Sequence, residues 1–160
     1  MGTYLEMLRV IKFVIDTKHF CLRIQPEVKF KYWSLYIFCD SNWVGDSETR
    51  VSVTGFIVYL MNVPLCWRSK AQRGVTLSSS EAEYVAISEA VKEIKFIYYL
   101  LQGIGIEIDL PIIVKTDNIG AMFMAQNASS GVRIRHVDTR YHYIQENVED
   151  GIIKIEFVKL

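Results

Sequence analysis

The chain has 160 residues, 51% of them hydrophobic and 22% charged, so it can form one globular domain and does not have the composition of a disordered segment. Its 18 basic and 18 acidic residues balance, which excludes nucleic-acid binding by bulk charge. Any binding of nucleic acid would have to depend on local basic patches or on a metal ion. Three scattered cysteines argue against a disulfide framework or a zinc site, and no apolar run approaches the roughly 18 residues of a membrane-spanning helix.

The first half of the chain is predicted to form one helix and then three strands. Apolar residues recur at helical spacing over residues 4–16. The tight connection at Asn62-Val63 indicates a hairpin between the second and third strands. The three strands are predicted at Leu35 to Cys39, which leads into Asp40, at Thr54 to Met61, and at Pro64 to Arg68.

A long helix is predicted to begin at the run of serines from Ser78 to Ser80. Either Ser78 with Glu81 or Ser80 with Glu83 has the spacing of a capping box. Apolar residues then recur at helical spacing until Gly103, where the helix is expected to end.

The last third alternates strands and helices, which is typical of parallel βα units. A strand over Pro111 to Thr116 leads into Asp117, and a strand over Ile152 to Lys159 ends the pattern. Helices are predicted between them at Asn118 to Gln126 and at residues 136–149. The whole order predicts an α/β fold with one mixed sheet, antiparallel at first and parallel later.

Three acidic residues have positions that predict a shared site. Asp40 and Asp117 each follow an apolar strand, and parallel neighbouring strands would bring both carboxylates to the same edge of the sheet. Glu83 lies in the first turn of the intervening helix and can face that edge. Three crowded carboxylates favour Mg²⁺ or Mn²⁺ and should raise a carboxyl pKa, with Asp40 as the candidate. The simpler alternative is that the aspartates are turn formers and the glutamate stabilises the helix dipole.

Basic residues form two clusters in the sequence. Either cluster can be a solvated face or a set of phosphate contacts. The first comprises Arg68, Lys70 and Arg73, and the second comprises Arg133, Arg135, His136 and Arg140.

Six motifs follow one another between residues 34 and 159. They are the runs Cys39 to Asp46, Thr49 to Phe56, Trp67 to Gln72, Leu77 to Ala86, Thr116 to Asn118, and Arg135 to His142. In this order they resemble the motifs "S-D-A-D-W-A-G-D", "T-R-R-S-T-S-G-Y", "W-S-S-K-K-Q", "L-S-S-T-E-A-E-Y-I-A", "C-D-N" and "K-H-I-D-I-R-Y-H" of ribonuclease H in copia-type retrotransposons.

This resemblance implies a ribonuclease H-like fold for residues 34–160. In that fold a mixed five-stranded sheet, with three antiparallel strands and then parallel βα units, is flanked by helices. Residues 1–33 resemble the helix and linker that join reverse transcriptase to ribonuclease H. The implied partners are an RNA–DNA hybrid and an upstream reverse transcriptase domain, with no membrane. The implied location is the cytoplasm, in a virus-like particle, with the nucleus as the alternative.

The family hydrolyses the RNA strand of RNA–DNA hybrids during reverse transcription with two divalent ions, Mg²⁺ or substituting Mn²⁺. The resemblance assigns Asp40, Glu83 and Asp117 as catalytic residues and metal ligands. It chooses Glu83 over Glu81 because the family ligand directly precedes the large residue of "E-Y-I-A". Further candidates for nucleic-acid contact are Ser41, Asn118, Arg68, Lys70, Arg135 and His136.

Two departures leave the enzymatic assignment open. Asn42 replaces the second acid of the first motif, and the family's fourth metal-binding aspartate lies in a helix after the fifth strand, where this sequence stops at Leu160. Asp138 is the candidate to replace this fourth aspartate, and the simpler interpretation of Asp138 is a structural or capping role. We therefore expect reduced activity, and the alternative is an inactive ribonuclease H-like remnant that at most binds nucleic acid or a partner. A generic metal-dependent phosphatase or nuclease has no motif in its favour.

Overall fold

The helices and strands occur in the order expected from the sequence, within the residues that the computed structural model describes: 2–22, 24–25, 33–45, 50–126 and 138–159. The helices are α1 (Gly2–Thr17), α2 (Ser79–Gly103), α3 (Ile119–Gln126) and α4 (Asp138–Glu149). The strands are β1 (Leu35–Asn42), β2 (Val53–Leu60), β3 (Val63–Ala71), β4 (Ile112–Thr116) and β5 (Ile153–Phe157).

The bounds of two strands correct the sequence prediction. β1 does not end before Asp40 but continues to Asn42, because Asp40, Ser41 and Asn42 still pair with β2. β3 likewise extends past Arg68 to Ala71, where it pairs with Val53. Residues 136–137 of the last predicted helix lie outside the described residues.

The five strands form one mixed sheet, in the order β3-β2-β1-β4-β5. The pairs β1–β2 and β2–β3 are antiparallel, whereas β1–β4 and β4–β5 are parallel. The predicted mixed sheet is therefore confirmed. Because β1 and β4 run in the same direction, their carboxyl-terminal ends meet at one edge of the sheet.

α2 covers one face of the sheet and forms the main core with it. Ile37 of β1, Val58 of β2 and Val114 of β4 are fully buried, as are Ile87 and Ile94 of α2. Burial of each such side chain contributes about 1.5–3 kcal/mol, and the alternation of buried and exposed residues fixes the register of each strand. This register holds the residues at the sheet edge in place.

The other face of the sheet carries an aromatic surface. The rings of Tyr36 and Tyr59 stack with their centroids 5.1 Å apart, and Lys115 Nζ lies 4.7 Å from the Tyr36 centroid and 4.9 Å from that of Phe38. A groove of about 560 Å³ follows this surface from Trp67 to Asp40. One end of the groove therefore lies at the sheet edge that carries the acidic residues.

The predicted N-terminal helix is present as α1, and its apolar side chains are exposed; Phe13, for example, is 67% exposed. After α1, Trp33 forms a parallel bridge with Ile108, beside the loop that leads into β4. The proposed boundary between residues 33 and 34 remains a prediction. Among the helices of the described residues, none has both the length and the apolar character needed to cross a bilayer.

Candidate metal centre

Two aspartates are placed at one edge of the sheet by the parallel pairing of β1 and β4. Phe38 is paired with Lys115, so Asp40 and Asp117, two residues further on, lie at the same level of the two chains. Asp40 is still within β1, whereas Asp117 directly follows β4, and both side chains are exposed. The backbone register alone thus accounts for their proximity.

The N-terminus of α2 places the third acid. Ser78 is the N-cap, and its Oγ accepts a hydrogen bond of 3.1 Å from the backbone N–H of Glu81. The Glu81 carboxylate in turn accepts a hydrogen bond of 2.6 Å from the backbone N–H of Leu77. Of the two capping pairs that the sequence allowed, Ser78 and Glu81 form the cap, so Glu83 is left to face the sheet edge.

The carboxylates of Asp40, Glu83 and Asp117 converge, with one oxygen of each lying within 4.8 Å of the others. Glu83 Oε1 accepts two hydrogen bonds from Ser41, one of 3.1 Å from its backbone N–H and one of 2.9 Å from its hydroxyl. Glu83 Oε2 is buried and accepts no hydrogen bond from the described residues. Within the same residues, no basic nitrogen lies within the 4.0 Å of a salt bridge to any of the three acids.

The pKa of Glu83 is raised from 4.5 to about 7, and burial is the largest cause. The two hydrogen bonds from Ser41 lower this pKa, whereas the negative charges of Asp40 and Asp117 contribute to raising it. The expected rise of a carboxyl pKa in the cluster is found at Glu83. The reason is that Glu83 is only 6% exposed, so its charged form loses the most hydration.

The residues present fit a divalent cation. Three carboxylates are hard oxygen ligands of the kind that Mg²⁺ and Mn²⁺ prefer. The buried Glu83 Oε2 has no hydrogen-bond donor among the described residues, and the charge of the cluster is not offset by any described basic side chain. A bound cation would supply both the missing contact and the missing charge.

The other predicted site residues have different surroundings. Ser41 binds the Glu83 carboxylate directly, and Asn118 Oδ1 accepts a hydrogen bond of 2.8 Å from the backbone N–H of Ala121, which caps α3. Arg68 and Lys70 line a second cavity, which none of the three acids lines, and Arg68 also lines the groove that reaches Asp40. Arg135, His136 and the side chain of Asp138 lie outside the part of the chain that the structure describes.

Sequence reasoning missed the part played by Gln72. This side chain is buried, and its Nε2 donates hydrogen bonds of 3.0 Å to Thr54 Oγ1 and to the backbone oxygen of Ala82. It therefore ties β2 to the first turn of α2, directly before Glu83. No hydrophobic periodicity indicates a buried glutamine, so the only signal was its place in the motif Trp67 to Gln72.

We predict that the substitution Ser41→Ala will weaken the cluster without removing a carboxylate. The hydroxyl hydrogen bond that this change removes favours ionised Glu83, so the pKa of Glu83 should rise above about 7. Metal affinity should fall about tenfold or more, as for other partners of metal ligands. NMR titration of the glutamate carboxyl carbons and calorimetry with Mn²⁺ measure the two effects. Ser69→Ala on β3 is the matched control, and equal behaviour of both variants would contradict the role of Ser41.

Comparisons with known proteins agree with this fold, although no protein-family model matches the chain. The retrovirus-related Pol polyprotein from transposon RE2 of Arabidopsis thaliana is 37% identical over 125 residues, which are 78% of this chain and 9% of that polyprotein. The crystal structure of LC11-RNase H1 in complex with an RNA/DNA hybrid superimposes with a TM-score of 0.57 at 16% identity, covering 79% of this chain and 85% of that one. The N-terminal RNase H domain of Rv2228c from Mycobacterium tuberculosis gives a TM-score of 0.54 at 15% identity, covering 78% and 81%.

Proposed function

This chain belongs to the ribonuclease H domains of Pol polyproteins from copia-type transposons, and on that premise we propose that it hydrolyses the RNA strand of RNA–DNA hybrids. The observation that carries the proposal is the convergence of the three carboxylates within 4.8 Å, with the buried Glu83 Oε2 unpaired among the described residues. The chain spans only 9% of the RE2 polyprotein, so the activity proposed is that of this domain.

Each residue of the cluster has a distinct part in the proposed mechanism. Two divalent ions held there, Mg²⁺ or Mn²⁺, would activate water for in-line attack on the scissile phosphodiester and neutralise the leaving oxygen. Asp40 and Asp117 are exposed and present their oxygens to solvent, where a substrate phosphate approaches. Ser41 occupies Glu83 Oε1, so Oε2 is the Glu83 atom available as a ligand. Because Ser41 fixes the orientation of Glu83, this side chain requires little reorganisation when a metal ion binds.

The proposed substrate and partners follow from the family. The 2′-hydroxyl is the group by which a protein distinguishes an RNA strand from a DNA strand, so specificity for the RNA strand requires contact with it. We propose that the domain acts beside the reverse transcriptase domain of a Pol polyprotein, within cytoplasmic particles. A hybrid produced by reverse transcription would then be supplied within the same polypeptide.

The proposal is tested with the purified 160-residue chain and duplexes labelled on one strand. We expect Mg²⁺- or Mn²⁺-dependent cleavage of RNA in an RNA–DNA hybrid, and no cleavage of the DNA strand or of a DNA duplex. Ca²⁺, a larger ion with a more flexible coordination shell, should not replace Mg²⁺. The double variant Asp40→Asn, Asp117→Asn serves as the contamination control. Hybrid binding without cleavage above this control would overturn the proposed activity and leave the domain as a binding module.

A further inference from the structure

A cavity between β3 and α2 is lined by several basic side chains and by none of the three clustered acids. Its volume is about 450 Å³, and we call it the β3–α2 pocket. One acidic side chain, Glu89, lines it as well. The basic residues of the β3–α2 pocket are Arg68, Lys70, Arg73, Lys92 and Arg140.

Arg140, from the second basic cluster of the sequence, joins the three residues of the first cluster in this pocket. Arg68, Lys70 and Arg73 come from β3 and the residues just after it, whereas Arg140 comes from α4, far along the chain. Residues that are distant in the sequence thus concentrate positive charge in one concavity.

Three of these cations have no acidic partner among the described residues. Arg68 forms a salt bridge of 3.1 Å with Glu93, and Lys92 forms one of 3.0 Å with Glu89. Within the same part of the chain, no salt bridge involves Lys70, Arg73 or Arg140. The pocket therefore keeps an excess of positive charge in a protein whose net charge is zero.

Arg68 is held in a fixed orientation at the wall of the pocket. Its guanidinium lies 5.3 Å from the centroid of the Phe56 ring, and Glu93 fixes it from a second side. A guanidinium held in this way loses little side-chain entropy when it forms further hydrogen bonds. Its remaining donors can approach a phosphate in the planar geometry that arginine favours.

We propose that the β3–α2 pocket binds phosphate groups of a nucleic-acid backbone, at a site separate from the carboxylate cluster. The choice of nucleic acid as the source of phosphate rests on the proposed function, whereas the affinity for phosphate rests on the charges alone. The contact would be independent of base sequence, because phosphates carry no sequence information. It would supply the local attraction that the balanced net charge of the chain does not.

The pocket and the carboxylate cluster lie on opposite sides of one helix. Glu83 belongs to the cluster and Val85 lines the pocket, and two residues of an α-helix turn by roughly 200°. With side chains, such a helix is about 10–12 Å wide. A duplex that contacts both sites must therefore cross the N-terminal turns of α2. Phosphates in the pocket would then fix the position of the strand relative to the three acids.

The test measures binding of an uncut RNA–DNA hybrid in EDTA, so that cleavage cannot contribute. We compare Lys70→Gln, Arg73→Gln with the control Lys12→Gln, Lys18→Gln, which removes the same charge from exposed positions in and after α1. The pocket variant should bind about tenfold more weakly at 0.1 M salt. The slope of log affinity against log salt concentration should be smaller in magnitude by about 1.5–2. Each phosphate that the protein no longer neutralises contributes roughly 0.9 to this slope. Arg140→Gln should reduce the slope by about 1.

Four possible outcomes bear on the proposal. Equal affinities and slopes for the pocket and control variants would overturn the proposal, and so would an effect confined to one base sequence. An effect of Lys70→Gln, Arg73→Gln on binding of inorganic phosphate but not of the hybrid would also overturn it, because the ligand would then be a free anion. Pocket-dependent binding in a chain that never cleaves would support the pocket and refute the proposed activity. Unchanged circular dichroism and melting temperature would show that the variants are folded.

Discussion

Glu83→Gln is expected to lower the rate of Mg²⁺-dependent cleavage of RNA in a hybrid by about 10³-fold or more, which corresponds to roughly 4 kcal/mol in the activation barrier. The substitution preserves the shape of the side chain, and its carbonyl can still accept the hydrogen bonds from Ser41. The variant lacks the negative charge beside Asp40 and Asp117, which we propose holds the metal ions. Single-turnover cleavage of a labelled hybrid measures the effect on the chemical step.

Glu81→Gln is the matched control, because Glu81 lies two residues earlier in the same helix turn. Its carboxylate accepts a hydrogen bond from the backbone N–H of Leu77 and does not belong to the cluster. We expect this variant to cleave within about threefold of the parent and to lose no more than about 1 kcal/mol of stability, as for a weakened cap. Equal losses of activity in both variants would contradict the assignment of Glu83 as the ligand.

The metal-free chain should become less stable as the pH rises from about 4.5 to 7. The pKa of Glu83 is about 7 in the folded chain and 4.5 in its ordinary environment, so the folded state holds this proton more tightly. Unfolded chains therefore ionise first, and the free energy of unfolding falls through this window and levels off above it. The loss is on the order of 3 kcal/mol, at about 1.4 kcal/mol for each pH unit between the two pKa values. This corresponds to roughly 6–12 °C in melting temperature for a chain of this length.

Divalent ions should restore the lost stability, but only at pH values at which Glu83 is ionised. At pH 8, Mg²⁺ or Mn²⁺ at about 100 times the dissociation constant should add roughly 2.7 kcal/mol. At pH 5 the proton on Glu83 competes with the ion, so little stabilisation is expected. Melting curves at pH 5 and pH 8, with EDTA or with metal, measure the effect.

Glu83→Gln isolates the contribution of this residue from that of the other carboxyl groups. The variant cannot ionise at this position, so the part of the fall in stability between pH 4.5 and 7 that Glu83 causes should be absent from its curve. It should also lose most of the stabilisation by metal at pH 8. Stabilisation by Mn²⁺ that is the same at both pH values, or the same in parent and variant, would show that the ion binds elsewhere.

Much of the fold followed from local pattern in the sequence. Apolar runs such as the one from Leu35 to Cys39 predicted strands, and helical spacing after Ser78 predicted α2. The order of these elements predicted the mixed sheet, since a strand joined by a helix to its parallel neighbour crosses over in one way. That topology predicted a shared edge for Asp40 and Asp117 on the condition that their strands are parallel neighbours, and the structure meets this condition and adds Glu83.

Other properties required the tertiary structure because they depend on burial and on contacts between distant segments. The raised pKa of Glu83 follows mainly from its burial, and position in the sequence does not report hydration. The contacts of Gln72 with Thr54 and Ala82 join distant parts of the chain, and no periodicity encodes them. Packing of the tertiary structure likewise brings Arg140 to the basic residues in and after β3, in the β3–α2 pocket.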